Sequence, residues 1–400
     1  MVRALLYLPD EAAHHLAGVP VAGRTLTVRG MVAALRAGAS LIAMPATLRD
    51  EAVEGALQRM PALAAAVCWL TPGAEAPDDE ASPWLLLPAS SLIHVSALRG
   101  LLSAPPPPPG AVLAPSAAGA APVAVAGAAL VTALWKDLAA GRPVGVELAR
   151  RLGEAGARPR EATGPYCAVR EPSDLARAED ALQATLGIAA DSGVDRYLHR
   201  RCSRWITRLL VQTKVTPNQV SLSSLVIGLG AVWCFWHATP ASAVWGVIVY
   251  AIACIVDHSD GEIARLTFQE SRFGANLDWT IDTIIHAGVV LGIGVTAGGS
   301  VMATLGVLGT TGVALSALFA RYLPREIEVG RTVGGLLTNI GNRDLFYLLL
   351  LGTAALRWLA PPLVGVVTVV VAVGSQVYWI GCVARIRRLG RGPTGGGPSS

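Results

Sequence analysis

Charge is scarce in this chain. Of its 400 residues 15% are Asp, Glu, Lys or Arg and 52% are hydrophobic, whereas soluble domains carry about 25% charged residues. The mean hydropathy is +0.50. Paired cysteines are lacking too: Cys68, Cys167, Cys202, Cys234, Cys254 and Cys382 are scattered with no CxxC spacing. That argues against a disulfide framework or a zinc site and fits a reducing compartment. The apolar start Ala4–Leu8 is too short for the core of a signal peptide, so none is expected. The hydrophobic content excludes intrinsic disorder.

The shortage of charge is uneven. Residues 1–190 hold 15 basic and 17 acidic side chains, whereas residues 191–400 hold 17 and 11. This asymmetry predicts a soluble first half and a membrane-bound second half. Six apolar windows are long enough to be spans, near 220–238, 241–257, 277–297, 300–320, 345–360 and 361–384. The arginines and lysine between them fall on one side, 16 against Arg357 alone on the other. The positive-inside rule then predicts six helices with both termini cytoplasmic, in the cell (inner) membrane. Ahead of the first span, Val194–Leu210 reads as a basic amphipathic helix, with Val194, Leu198, Cys202, Trp205, Ile206 and Leu209 at helical spacing. It either lies on the inner leaflet or packs on another domain. Thr216-Pro217-Asn218 ends it and caps the first span.

Carboxylates then stand where apolar spans should be. Asp257 and Asp260 lie three apart at the end of the second span, and Asp278 and Asp282 four apart at the start of the third. Each pair shares a helix face, and a hairpin of helices brings the pairs together. Four converging carboxylates call for a divalent cation, and all-oxygen ligands favour Mg²⁺, Mn²⁺ or Ca²⁺ over zinc. Gly261 and Ala264 leave a groove for a flat base or ribose. A helix cap at Asp278, or a solvated loop over Asp257–Glu262, explains one pair but not both.

The string Asp257, Asp260-Gly261, Ala264-Arg265, Gly274, Asp278, Asp282 resembles the eight-position signature of the CDP-alcohol phosphotransferases, with each spacing met. The resemblance covers roughly residues 191–385. It implies a six-helix membrane fold, usually dimeric, in which CMP leaves a CDP-linked donor as an acceptor hydroxyl attacks the β-phosphorus. By position it implies Asp257, Asp260 and Asp278 as metal ligands and Asp282 as ligand or general base. It also implies a nucleotide site of Asp257, Asp260, Gly261, Ala264 and Arg265, with Gly274 permitting a turn. The expected cofactor is Mg²⁺ or Mn²⁺. The donor is a CDP-linked alcohol, the acceptor an inositol phosphate-like or lipid hydroxyl, and no nucleic-acid partner is expected. His286 continues the row Asp278–Asp282. It is either a core histidine bonded to a neighbouring helix or an orienter of Asp282 or contact to the acceptor. Arg321, Arg325, Arg331 and Arg343 either set topology or grip a phosphate.

Residues 1–190 alternate strands (Leu5–Leu8, Leu41–Pro45, Ala66–Leu70, Trp84–Pro88, Ala111–Ala114) with helices (Val28–Ala37, Leu48–Met60, Ser96–Leu102, Asp174–Leu186), which predicts α/β with a mainly parallel sheet. Pro105–Pro109 forms a polyproline stretch, and 116–129 is a loop or buried helix. Gly18–Leu26 resembles part of a sugar-phosphate nucleotidyltransferase. The glycine-rich phosphate loop is missing from Tyr7–His15, and Ala89-Ser90-Ser91 stands where a metal-binding aspartate belongs. A degenerate nucleotidyltransferase-like domain is expected, or else an unrelated α/β regulatory domain. The whole resembles bifunctional inositol-phosphate cytidylyltransferase/di-inositol-phosphate-phosphate synthases with only the second half's chemistry retained. The expected organisation is 1–190, a juxtamembrane helix 191–214, a membrane domain 215–388 and a disordered tail 389–400. Phospholipid synthesis from CDP-diacylglycerol, or a non-catalytic membrane scaffold, are the alternatives.

Overall fold

The apolar run Val2–Tyr7 (β1) is buried from Ala4 onward, as a central parallel strand covered on both faces must be. The computed structural model describes residues 2–76, 83–103, 110–113, 121–187, 193–321 and 343–390. The chain divides into two units, Met1–Leu186 and Gly187–Ser400.

In the first unit β1 is followed by α1 (Ala13–Ala17), β2 (Pro20–Val21), β3 (Arg24–Thr25), α2 (Leu26–Arg36), β4 (Ala39–Pro45), α3 (Glu51–Arg59), α4 (Pro61–Ala66) and β5 (Val67–Leu70). Then come β6 (Trp84–Pro88), β7 (Ser91–Ile93), α5 (Val95–Leu102), β8 (Gly110–Leu113), β9 (Ala124–Ala126), α6 (Ala128–Ala139), α7 (Gly145–Glu154), β10 (Arg158–Arg160), β11 (Tyr166–Ala168) and α8 (Asp174–Ala184). The main sheet has the order β10-β8-β9-β6-β1-β4-β5. Its β6-β1-β4-β5 half is parallel, and β9 runs antiparallel to both β6 and β8. The unit is therefore α/β, with a mixed sheet. Residues 116–129 form no single helix: they include β9 and the start of α6, and 116–120 fall outside the described residues, as does Pro105–Pro109.

The end of β1 is closed rather than open. Val144 and Gly145 donate backbone hydrogen bonds of 3.0 and 3.1 Å to the Leu8 and Pro9 carbonyls. A Cβ on Gly145 would stand 2.5 Å from the Pro9 oxygen, so glycine is required there. Buried Arg29 bonds the carbonyls of Val21 and Ala22 at 2.8 Å each, which pins the turn that resembles the nucleotidyltransferases.

The second unit is helical: α9 (Arg200–Leu210), α10 (Pro217–His237), α11 (Pro240–Thr267), α12 (Arg272–Thr296), α13 (Gly299–Ala320), α14 (Arg343–Leu359) and α15 (Val364–Gly390). Among the described residues five stretches are long and apolar enough to cross a membrane: α10 to α13 and Pro361–Arg387. The expected span at 345–360 corresponds to α14, which has 17 residues, Arg343, Asp344 and Arg357 among them. It is short for a crossing helix, which needs about 20 mainly apolar residues.

Local chemistry sets the helix ends. Thr216 and Thr239 each close a capping box with Pro at the first helical position. A core of Phe235, Tyr250, Cys254, Ile281, Ile285, Val289, Tyr347 and Leu350 joins α10, α11, α12 and α14. Helix α10 packs against both α11 and α12, the two helices of the expected hairpin, which approach each other far less closely. Gly294 and Gly306 let α12 and α13 meet backbone to backbone; a Cβ on Gly294 would lie 2.3 Å from the Gly306 Cα. Arg357 holds the opposite end of the bundle, donating to the Ala238 carbonyl at 2.8 Å and to the Thr296 hydroxyl.

The segment before α10 differs from a simple two-faced helix. A π turn, Asp195–His199, leads into α9. Its buried stripe is polar, with Asp195, His199, Ser203 and Thr207 at four-residue spacing. Leu198, Trp205 and Leu209, three of the apolar positions at helical spacing, are exposed. Thus the apolar side faces outward while the stripe Asp195–Thr207 docks on α11.

Candidate metal and phosphotransfer site

Asp257 lies ten residues before the end of α11, and Asp282 ten residues after the start of α12. At 1.5 Å per residue the two stand at about equal depth, roughly 15 Å along each helix. Asp257, Asp278 and Asp282 each offer a carboxylate oxygen, and these oxygens lie within 4.8 Å of one another. Asp278 is within side-chain hydrogen-bond reach of Asp257. Carboxylates brought this close repel unless a cation or a proton intervenes. The donor set is all oxygen and fits a hard divalent cation.

Asp260 is not one of those three. It is buried, and the Ser221 hydroxyl of α10 donates to its Oδ2. Ser221 was not legible as a site residue, because 39 residues separate the pair. Gly261 and Ala264 are half-buried on α11. The Arg265 guanidinium folds back over Gly261, where a Cβ would meet its Nη1 at 3.3 Å. Gly274 does not form a turn. It lies in the first turn of α12, donating its N–H to the capping Ser271 hydroxyl at 2.9 Å. A Cβ at Gly274 would lie 3.2 Å from Ser271 Oγ and 3.3 Å from Asn218 Oδ1 of α10, so the cap and the neighbouring helix both crowd this position.

His286 is bonded to a neighbouring helix: its Nε2 is 2.7 Å from the Tyr250 hydroxyl of α11. The Phe346 ring meets it edge-on at 4.3 Å. Arg321, just past α13, bonds the Asn276 side chain and lies 5.0 Å over the Trp279 ring. Arg325 and Arg331 lie outside the described residues, and Arg343 begins α14 with its side chain outside them.

The signature's unspecified positions bear contacts that the sequence did not reveal. Glu262, fully buried, accepts from Arg200 Nη1 at 3.0 Å, Ser203 Oγ at 2.9 Å and Thr207 Oγ1 at 2.7 Å. His258 Nε2 lies 3.0 Å from Asp195 Oδ1.

Residues 214–380 match the CDP-alcohol phosphatidyltransferase family. A putative cardiolipin synthase of Mycobacterium bovis is 30% identical over 168 residues, which are 38% of this chain and 78% of that protein. The chain belongs to the CDP-alcohol phosphatidyltransferase family. Two larger members, each named bifunctional IPC transferase and DIPP synthase, are also similar. The one from Rubrobacter xylanophilus is 34% identical over 171 residues, 42% of this chain and 38% of the relative. The one from Thermococcus kodakarensis is 31% identical over 118 residues, 29% of this chain and 26% of the relative. The match therefore spans well under half the length of these bifunctional relatives.

Proposed function

We propose that the second unit transfers a phospho-alcohol or phosphatidyl group from a CDP-alcohol to an acceptor hydroxyl, releasing CMP. The observation that carries this is the convergence of Asp257, Asp278 and Asp282 within 4.8 Å on two helices of a membrane protein of this family. These three, with Asp260 close by on α11, would hold Mg²⁺ or Mn²⁺. The bound metal would neutralise the diphosphate and steady the leaving CMP.

The chain's own groups do the rest. Asp282 takes the acceptor's proton as the new O–P bond forms and the bond to CMP breaks. Gly261, Ala264 and Arg265 flank the nucleotide, Gly274 lets α10 close on the same end, and Arg321 offers a guanidinium to a phosphate on the acceptor. Arg325, Arg331 and Arg343 would add further phosphate contacts. His286 orients the base-bearing helix through Tyr250. The active end and both termini face the cytoplasm, because the basic side chains crowd that side and Arg357 stands alone at the other. The protein acts as a homodimer in the lipid bilayer.

The product class is a polar headgroup of inositol-phosphate type or a phospholipid. The bifunctional relatives favour the first, and the putative cardiolipin synthase relative, matched over 78% of its length, favours CDP-diacylglycerol as donor. The first unit supplies no CDP-alcohol of its own, since the Leu8–Pro9 backbone is pressed on Val144–Gly145 and Ser90 is buried where a carboxylate would be needed. Purified protein incubated with Mg²⁺, an inositol phosphate and either a soluble CDP-alcohol or CDP-diacylglycerol tests the reading by CMP release. Release with one donor class names it, and release with neither refutes it.

A further inference from the structure

Helix α11 presents two faces around Asp257. At 100° per residue, Asp257, Asp260, Gly261 and Ala264 share one side. His258 and Glu262 share another, about a third of a turn away. Every hydrogen bond described above from the second face ends on the segment 195–210. Glu262 is held by Arg200, Ser203 and Thr207. His258 Nε2 lies 3.0 Å from Asp195 Oδ1, and the same oxygen lies 2.8 Å from His199 Nδ1. His199 Nε2 in turn lies 2.8 Å from the Tyr347 hydroxyl on α14. The two imidazoles stand perpendicular, at 89° and 5.5 Å. The chain is sealed from solvent, with His199 0%, Asp195 6% and Tyr347 7% exposed. Its other end reaches the site, where His258 Nδ1 is 3.8 Å from Asp257 Oδ2.

Helix α11 packs chiefly on α10 and approaches α12 only loosely, so contacts on its other faces help to fix how it is rolled about its axis. We propose that Asp195, His199 and Tyr347 are positioning residues which, through His258, lock the roll of α11 and so aim Asp257 at Asp278 and Asp282. Asp344 secures the start of the lock, accepting from the Gly193 and Val194 N–H groups at 2.9 and 3.0 Å. The inference rests on the reading of Asp257 as a metal ligand in the proposed transfer.

The test uses the full chain in detergent with three readouts: Mn²⁺ affinity by electron paramagnetic resonance, CMP release and thermal midpoint. His258→Ala and His199→Ala are expected to weaken Mn²⁺ binding and lower kcat at least tenfold, with acceptor KM unchanged. His258→Gln, whose amide nitrogen reaches the Nε2 position, restores both to within about threefold. His258→Asn, which is too short, does not. Tyr347→Phe, a one-oxygen change that leaves the fold intact, moves Mn²⁺ affinity in the same direction by a few fold. Wild-type Mn²⁺ affinity in folded His258→Ala and Tyr347→Phe protein, or no difference between Gln and Asn, overturns the proposal. So does stoichiometric zinc that is lost with His199, because the cluster would then be a metal site. If wild-type protein binds Mn²⁺ yet releases no CMP from any donor, the functional reading fails while the Mn²⁺ comparison still decides the lock.

Discussion

Thr207 Oγ1 donates a 2.7 Å hydrogen bond to Glu262 Oε2, across 55 residues of sequence and inside a fully buried contact. Arg200 and Ser203 complete the carboxylate's partners. Removing one member of a buried ion pair strands the other at a cost of about 3–5 kcal/mol. Glu262→Ala is therefore expected to lower the thermal midpoint sharply in detergent. The double variant Arg200→Leu with Glu262→Leu recovers most of the loss. A midpoint unchanged in Glu262→Ala would show the pair to be dispensable.

Asp282→Asn keeps the size and most of the hydrogen bonding of the side chain but removes a base. Turnover is expected to fall by roughly 10²–10⁴, with donor binding nearly unchanged. Normal kcat at saturating Mg²⁺ would make Asp282 a ligand only.

Arg321 is already held in place by Asn276 and Trp279, so a phosphate that reaches it meets a pre-placed guanidinium. A charge-assisted pair contributes about 1.5–3 kcal/mol, and 1.4 kcal/mol is tenfold in binding. Arg321→Ala should raise the KM of a phosphorylated acceptor at least tenfold while leaving Mg²⁺ dependence in place. An unchanged KM would point to an uncharged acceptor.

His94 caps α5 by accepting from the Ser96 N–H, and burial, then Arg36 and Arg99, lower its pKa from 6.5. The unfolded chain binds that proton more readily, so the contribution is present above about pH 6.5 and is lost as pH falls below it. The unfolding midpoint of the first unit should drop between pH 7 and pH 5, and His94→Asn, which preserves a cap, should flatten that slope. An identical slope in the variant would assign the acid sensitivity elsewhere.

The first unit is expected to release no pyrophosphate from CTP with any sugar or inositol phosphate. Pyrophosphate formation by full-length protein carrying Asp282→Asn would show that the closed end of β1 opens to a nucleotide.

Much of this was readable in the sequence because long apolar stretches and continuous apolar strands are strong signals. The helices α10 and α13 lie within a few residues of their expected limits, α11 runs ten residues past its expected end and α12 starts five before its expected start, and β1, β4, β5 and β6 stand where Leu-, Ala- and Val-rich runs placed them. Three-residue strands such as β9 carry no period, and α6 was hidden in Ala-rich sequence. Spacing and a helix hairpin predict that Asp257, Asp260, Asp278 and Asp282 converge; Asp257, Asp278 and Asp282 do, while Asp260 is bonded to Ser221. The polar stripe Asp195–Thr207 was not legible, because arginines and Trp205 dominate the pattern of that segment. Its partners on α11 and α14 lie 55 to 148 residues away, beyond any local signal. Gly274 stands in the first turn of α12 rather than in the link before it, because the helix starts earlier than its apolar stretch.

The most direct measurement is CMP release by purified full-length protein from CDP-alcohol donors, with and without Mg²⁺, beside a variant in which Asp257, Asp278 and Asp282 are all Asn. The account predicts metal-dependent release that chelation abolishes and that the triple variant lacks while remaining folded. Metal-independent release, or equal release by the triple variant, would contradict it.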